Sequence, residues 1–150
     1  DDIGFLPGTE EEKMTPWMGA LEDNLDVLNK TDDEGGDWGR AATRDLIRSR
    51  IKIKSLNFMR GRTFLNKYLI IDEAQNLTPK QRKALVTRAG PGTKGVCLGN
   101  IAQIDTPYLG SQSNGLFYLI DKIKHHEIYA HVRLEKGERS HLANLANQLL

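Results

Sequence analysis

Apolar residues fall into helical stripes separated by short apolar runs. Trp17, Leu21, Leu25 and Leu28 form one stripe behind Thr15-Pro16, a hydroxyl followed by proline, and predict a helix from about Thr15. Residues 31–39 are acidic and glycine-rich, which predicts a loop, and a second helix covers Arg40 to Arg50. Ile51-Lys52-Ile53-Lys54 alternates as an edge strand does when its lysines face solvent. Tyr68-Leu69-Ile70-Ile71 is a continuous apolar run, the pattern of a buried parallel strand. Thr78-Pro79 opens a further helix, with Gly90 as its stop after Lys80 to Ala89, and Gly95-Val96-Cys97-Leu98 reads as another strand. Leu116, Leu119, Ile120 and Ile123 give an amphipathic helix over Gly115 to Lys124, and Leu142, Leu145, Ala146 and Leu149 a last one. Strands near 51–57, 67–72, 95–99 and 128–134, alternating with helices, predict an α/β domain with a mainly parallel sheet.

Candidate chemistry gathers where the strands end. The run to Ile71 stops at Asp72-Glu73-Ala74-Gln75. A carboxylate on a rigid strand end can hold the hydration shell of a Mg²⁺ that bridges terminal phosphates, the role expected of Asp72. Glu73 can orient and deprotonate an attacking water, and Gln75 can sense that water or the γ-phosphate. The plainer alternative is a strand that ends in a solvated acidic turn. Gly99-Asn100-Ile101-Ala102-Gln103 then ends the next strand, at the sheet edge where open α/β sheets bind ligands. A neutral amide donates to phosphate and accepts from water at once, so Gln103 suits a γ-phosphate sensor. Arg139, in Leu134-Glu135-Lys136-Gly137-Glu138-Arg139-Ser140, stands at a strand-to-helix junction and can act as an arginine finger or as a surface ion-pair partner.

In order along the chain, the DEAQ strand, the Gly-x-x-x-Gln turn and the L-E-x-G-E-R-S segment resemble motifs II, III and IV of superfamily 1 helicases. The chain is more closely similar to the C-terminal part of the PhoH family, the phosphate-starvation-inducible ATPases of bacteria. The matching segments are Asp2 to Gly8, Glu12 to Met14, Phe58 to Thr63, Ile70 to Gln75, Gln103 to Asp105 and Lys136 to Ser140. The resemblance implies a RecA-like P-loop NTPase fold, binding of ATP with Mg²⁺, and ATP hydrolysis linked to RNA or nucleoprotein. It also implies that Asp72 serves the metal through water, that Gln75, Gly99 and Asn100 serve the nucleotide, and that Glu73, Gln103 and Arg139 serve catalysis.

Two departures from the family pattern bear on this. Asn100 stands where most of the family has Asp, so that turn offers a hydrogen-bonding group in place of a second carboxylate. No G-x-x-x-x-G-K-[ST] occurs among the 150 residues. Gly90-Pro91-Gly92-Thr93-Lys94-Gly95 fits G-x-G-x-x-G, but it leaves a helix and enters a strand, the reverse of a phosphate-cradling loop. The expectation is therefore the C-terminal part of one NTPase domain, truncated before or without its phosphate-binding loop, inactive alone and prone to form a homo-oligomer. A nucleic-acid-binding module or an oligomerisation element with vestigial motifs is the alternative.

Charge divides the chain. Residues 1–37 carry a net −10 and form an acidic helical segment with its loop, which leaves +11 on the basic α/β body of residues 38–150. A basic body of that kind suits RNA. Arg60 and Arg62, flanking Gly61, can meet RNA phosphates, a nucleotide phosphate of a neighbouring subunit, or the acidic segment. A single cysteine, Cys97 in an apolar strand, and the absence of any run near the roughly 20 apolar residues of a membrane span fit a cytoplasmic protein. His125, His126, His131 and His141 show no metal-ligand spacing.

Overall fold

In the computed structural model, which describes residues 8–29, 37–56, 59, 61–105 and 108–149, the first helix starts ahead of the Pro16 signal. α1 runs Glu10–Asn29, with Pro16 inside it. Its start is set by a reciprocal cap: the Thr9 N–H donates to Glu12 Oε2 (2.7 Å) and the Glu12 N–H to Thr9 Oγ1 (3.3 Å). This capping box satisfies two orphan donors, where Thr15 with Pro16 offers one cap, so the expected start at Thr15 is corrected. α2 covers Asp37–Arg50. The change of charge at residue 37/38 therefore coincides with the start of a helix, and the two compact units of the chain divide later, at Arg62 and Thr63.

Within the N-terminal unit, two bidentate contacts join the helices. Arg48 Nε and Nη2 donate to the two carboxylate oxygens of Glu22 (2.5 and 3.0 Å), and Arg44 Nε donates to Asp26 Oδ1 (3.0 Å) while its Nη2 reaches Oδ2. Residue 22 meets 48 and residue 26 meets 44, so α1 and α2 run antiparallel. The two arginine side chains are 50% and 60% exposed, which leaves both pairs screened by solvent and modest in strength. The Arg48 hydrogen bond holds the Glu22 carboxyl below its ordinary value of 4.5. A depressed carboxyl pKa stabilises the fold above the ordinary value, and that support disappears as the pH falls through the folded value. Carbon-13 titration of the Glu22 carboxyl is expected to give a midpoint below 4.5 that rises in Arg48→Gln; a midpoint at or above 4.5 in the wild type would contradict the pairing.

In the second unit, β1 (Tyr68–Ile71) and β2 (Lys94–Cys97) pair in parallel, with Tyr68 opposite Lys94 and Ile71 opposite Cys97. Parallel strands need a crossover, and α3 (Pro79–Val86) supplies it. Thr78 caps α3 as the sequence predicts: its Oγ1 accepts from the Gln81 N–H (3.2 Å), and Gln81 Oε1 accepts from the Thr78 N–H (2.9 Å). The helix closes at Val86, ahead of the expected stop. Gly90 instead braces the segment before β1, since its N–H donates to the Phe64 carbonyl (2.7 Å) and a Cβ there would lie 2.8 Å from that oxygen. The Gly90–Gly95 segment turns into β2, the connector that its order along the chain predicts.

α4 (Gly115–Ile123) is capped by Asn114, whose Oδ1 accepts from the Phe117 N–H (2.9 Å) and whose amide donates to the carbonyls of Gly110 and Ser111. Ile71, Ala74, Leu77, Leu85 and Leu116 are the buried apolar residues among those described in this unit. The β1 strand is thus covered on one face only, with Tyr68 65% and Ile70 58% exposed, whereas the apolar run predicts burial on both. α5 (His141–Leu149) has no buried residue. None of the described helices is long and apolar enough to cross a membrane.

Two predicted strands do not form among the described residues. Residues 51–55 have no ladder partner, and Ile128, Val132 and Leu134 are 95%, 83% and 87% exposed on an unpaired stretch. Alternation marks a side-chain pattern that suits a strand, but the pattern does not itself supply the ladder partner that a strand needs. The observed fold is mixed α/β with a small, two-stranded parallel sheet.

Candidate functional site

The site is a pair of interlocked turns at the C-terminal ends of β1 and β2. The ladder continues past the strands: the Leu98 N–H donates to the Ile71 carbonyl (2.9 Å) and the Ala74 N–H to the Leu98 carbonyl (2.8 Å). β1 therefore runs directly into a 3₁₀ turn over Ala74–Asn76. Between them Glu73 adopts the left-handed conformation, φ 50° and ψ 41°. A non-glycine residue rarely does so without compensation elsewhere, and such strain collects at functional positions.

Gln75 supplies much of that compensation. Its side chain is fully buried; Nε2 donates to Glu73 Oε2 (2.5 Å) and to the Gln103 carbonyl (2.9 Å), while Oε1 accepts from the Asn100 N–H (3.1 Å). One buried amide thus fixes the Glu73 carboxylate and both ends of the Asn100–Gln103 turn. This occupies both Nε2 hydrogens, so the side chain faces the second turn rather than solvent. Gly99 is part of the same fit, since a Cβ there would fall 2.6 Å from Gln75 Oε1 and 2.8 Å from Leu116 Cδ2. Asn100 shapes its own turn by accepting from the Ala102 N–H (3.0 Å), and Asn76 Oδ1 takes the Asp105 N–H (2.8 Å).

Asp72, Glu73, Asn100 and Gln103 are all exposed on this edge. Asp72 Oδ1 accepts the N–H of Glu73 (2.9 Å), and its exposed carboxylate has no further hydrogen bond or ion pair among the described residues. The described residues hold no cluster of three or more His, Cys, Asp or Glu side chains able to form a metal cage.

The remaining predicted residues lie apart from this cluster. Arg139 is exposed, just before Ser140, whose Oγ accepts from the Ala143 N–H (3.2 Å) at the start of α5. No hydrogen bond or ion pair joins Arg139 to the Asp72–Gln75 turn among the described residues. Arg62 is exposed at the end of the N-terminal unit, and Arg60 lies outside the described residues. Sequence reasoning missed Asn76, Asn114 and Arg82. Asn114 stands directly before Gly115-Leu116-Phe117, an N-cap signal that was readable in the chain.

A family model described as PhoH-like protein matches residues 1–149. The chain belongs to the PhoH family. Protein PhoH2 of Bacillus subtilis (strain 168) is 45% identical to it over 152 residues, an alignment that covers 99% of this chain and 33% of that protein. Protein PhoH2 of Mycolicibacterium smegmatis is 34% identical over 99% of the chain and 32% of its own length. A PhoH-like protein of Bacillus subtilis is 43% identical over 71% of the chain and 31% of its own length. The chain spans about a third of the length of the curated relatives it matches. PhoH is a P-loop NTPase family whose members generally use nucleotide and Mg²⁺, and the small parallel sheet is consistent with a domain of that type.

Proposed function

We propose that the full-length protein is a Mg²⁺-dependent ATPase of RecA-like architecture and that this chain carries its hydrolytic edge. One observation carries the reading: a strand-end glutamate held in a left-handed conformation, with its carboxylate fixed by a buried glutamine that also locks the neighbouring turn. Fixed geometry of this kind is what a general base needs, because proton transfer demands a preset distance to water.

In this reading Glu73 orients and deprotonates the attacking water. Gln103, exposed on the second turn, contacts the γ-phosphate, and Asn100 and Gly99 shape the edge on which the nucleotide lies. Gln75 serves the nucleotide by holding these groups rather than by touching phosphate. Arg139 neutralises charge that develops in the transition state, from its own chain or across a subunit interface. A Mg²⁺ fits the donor set, because this ion keeps several waters and takes one or two carboxylates together with substrate phosphates, and Asp72 offers one such carboxylate. When bound, the metal would supply charge neutralisation at the phosphates.

RNA is the proposed partner of turnover, supported by the +11 net charge of residues 38–150. ATP hydrolysis by the full-length protein tests the reading: turnover should require Mg²⁺, stop in excess chelator and rise when RNA is added. RNA binding without turnover, unaffected by ATP, would instead favour a nucleic-acid-binding module.

A further inference from the structure

Arg82 is the most deeply buried charged side chain described, 1% exposed on a helix whose other basic residues face water. Its Nη2 donates to the Ala74 carbonyl (3.1 Å), its Nη1 donates to Cys97 Sγ, and its Nε is buried without a partner. No carboxylate pairs with it among the described residues, and desolvation pushes its pKa down, opposed by Cys97. A guanidinium taken out of water without an acid is costly, and an apolar residue of the same length would fill the place at lower cost. Packing alone therefore does not account for it.

Its bonds fall at one informative place. Ala74 lies between Glu73 and Gln75, and its N–H is already held by the Leu98 carbonyl. Arg82 takes the carbonyl of the same residue, so the residue that follows the strained glutamate is pinned at both its N–H and its C=O. Through Cys97 the same guanidinium reaches the last residue of β2, one step before the Leu98-Gly99 segment that leads to Asn100.

We infer that Arg82 is a positioning residue for hydrolysis: it ties the end of β2 to the Ala74 carbonyl and thereby holds Glu73 and Gln75 in register with the Asn100–Gln103 turn. The inference rests on the ATPase reading above. Full-length Arg82→Met, which keeps the stem and removes the donors, is expected to lose kcat about 10- to 100-fold with KM for ATP unchanged within about twofold. Arg82→Lys, which can keep a single bond to Ala74, should recover part of the loss. Amide hydrogen exchange provides a readout that needs no turnover: exchange at Ala74 and Asn100 should accelerate in Arg82→Met while α4 stays protected as in the wild type.

Unchanged kcat in a folded Arg82→Met variant of an active enzyme would overturn the inference. If the wild type hydrolyses no ATP, the ATPase reading fails by itself and exchange decides about Arg82; equal exchange at Ala74 and Asn100 would then sink it. Should the Met variant not fold, Arg82→Lys carries the test with the same kcat and KM split. Failure of both to fold would make Arg82 a stability residue and overturn the positioning role.

Discussion

Glu73→Gln is expected to lower ATP turnover by the full-length protein about 10²- to 10⁴-fold, the range for loss of a positioned general base. The substitution preserves length and shape. A glutamine at 73 can still accept the Gln75 Nε2 hydrogen through its amide oxygen, so the interlocked turns should survive. What it cannot do is take a proton from water. The lost interaction belongs to the transition state, so kcat and kcat/KM should fall together while KM for ATP stays within about threefold. Steady-state kinetics with a parallel measurement of ATP binding checks this. Turnover equal to wild type would remove Glu73 from catalysis, and a collapse of binding with intact kcat would assign it to nucleotide affinity.

Gly115→Ala is expected to destabilise the fold by about 1 to 3 kcal/mol, the usual cost of overpacking. Helix propensity argues for the opposite sign, because alanine gains about 1 kcal/mol over glycine inside a helix. Geometry decides the sign. A Cβ at Gly115 would lie 2.7 Å from the Leu77 carbonyl oxygen and 2.8 Å from that of Thr78, with Arg82 Cβ at 3.1 Å. The two closest atoms belong to the backbone just before α3, where the Gly115 N–H already donates to Leu77 at 2.5 Å, so neither can move without disturbing the helix start. Thermal unfolding should show a lower Tm for Gly115→Ala. Gly95→Ala, where nothing lies within 4 Å of the added carbon, is the control and should stay near wild type. A raised Tm in Gly115→Ala would mean that α4 does not approach the start of α3 so closely.

The elements that a local pattern can specify were legible in the sequence. The run Tyr68–Ile71 with its abrupt acidic end, the Thr78-Pro79 start and the stripe of α4 each carry their signal within a few residues. The unpaired stretches at 51–55 and 128–134 were not, because pairing depends on an edge elsewhere in the fold. Gln75 shows the same limit at the site. Beside two acids it reads as an amide turned toward the water or the γ-phosphate, and its burial follows only when β2 returns alongside and Gly99 leaves room for the amide. Arg82 lies in Lys80-Gln81-Arg82-Lys83, a run that looks uniformly exposed. Its one readable clue is Leu85, three positions on and therefore on the same helical face.

If the turns after β1 and β2 are where a metal–nucleotide complex is held, Mn²⁺·ATP should bring a paramagnetic ion to both of them at once. Its broadening of backbone amide signals in the deuterated full-length protein is therefore the decisive measurement. Signals from residues 72–76 and 99–103 are expected to broaden together, and Asp72→Asn is expected to weaken the effect at both turns. Broadening by Mn²⁺·ATP elsewhere in the protein, with both turns untouched, would contradict this placement of the nucleotide.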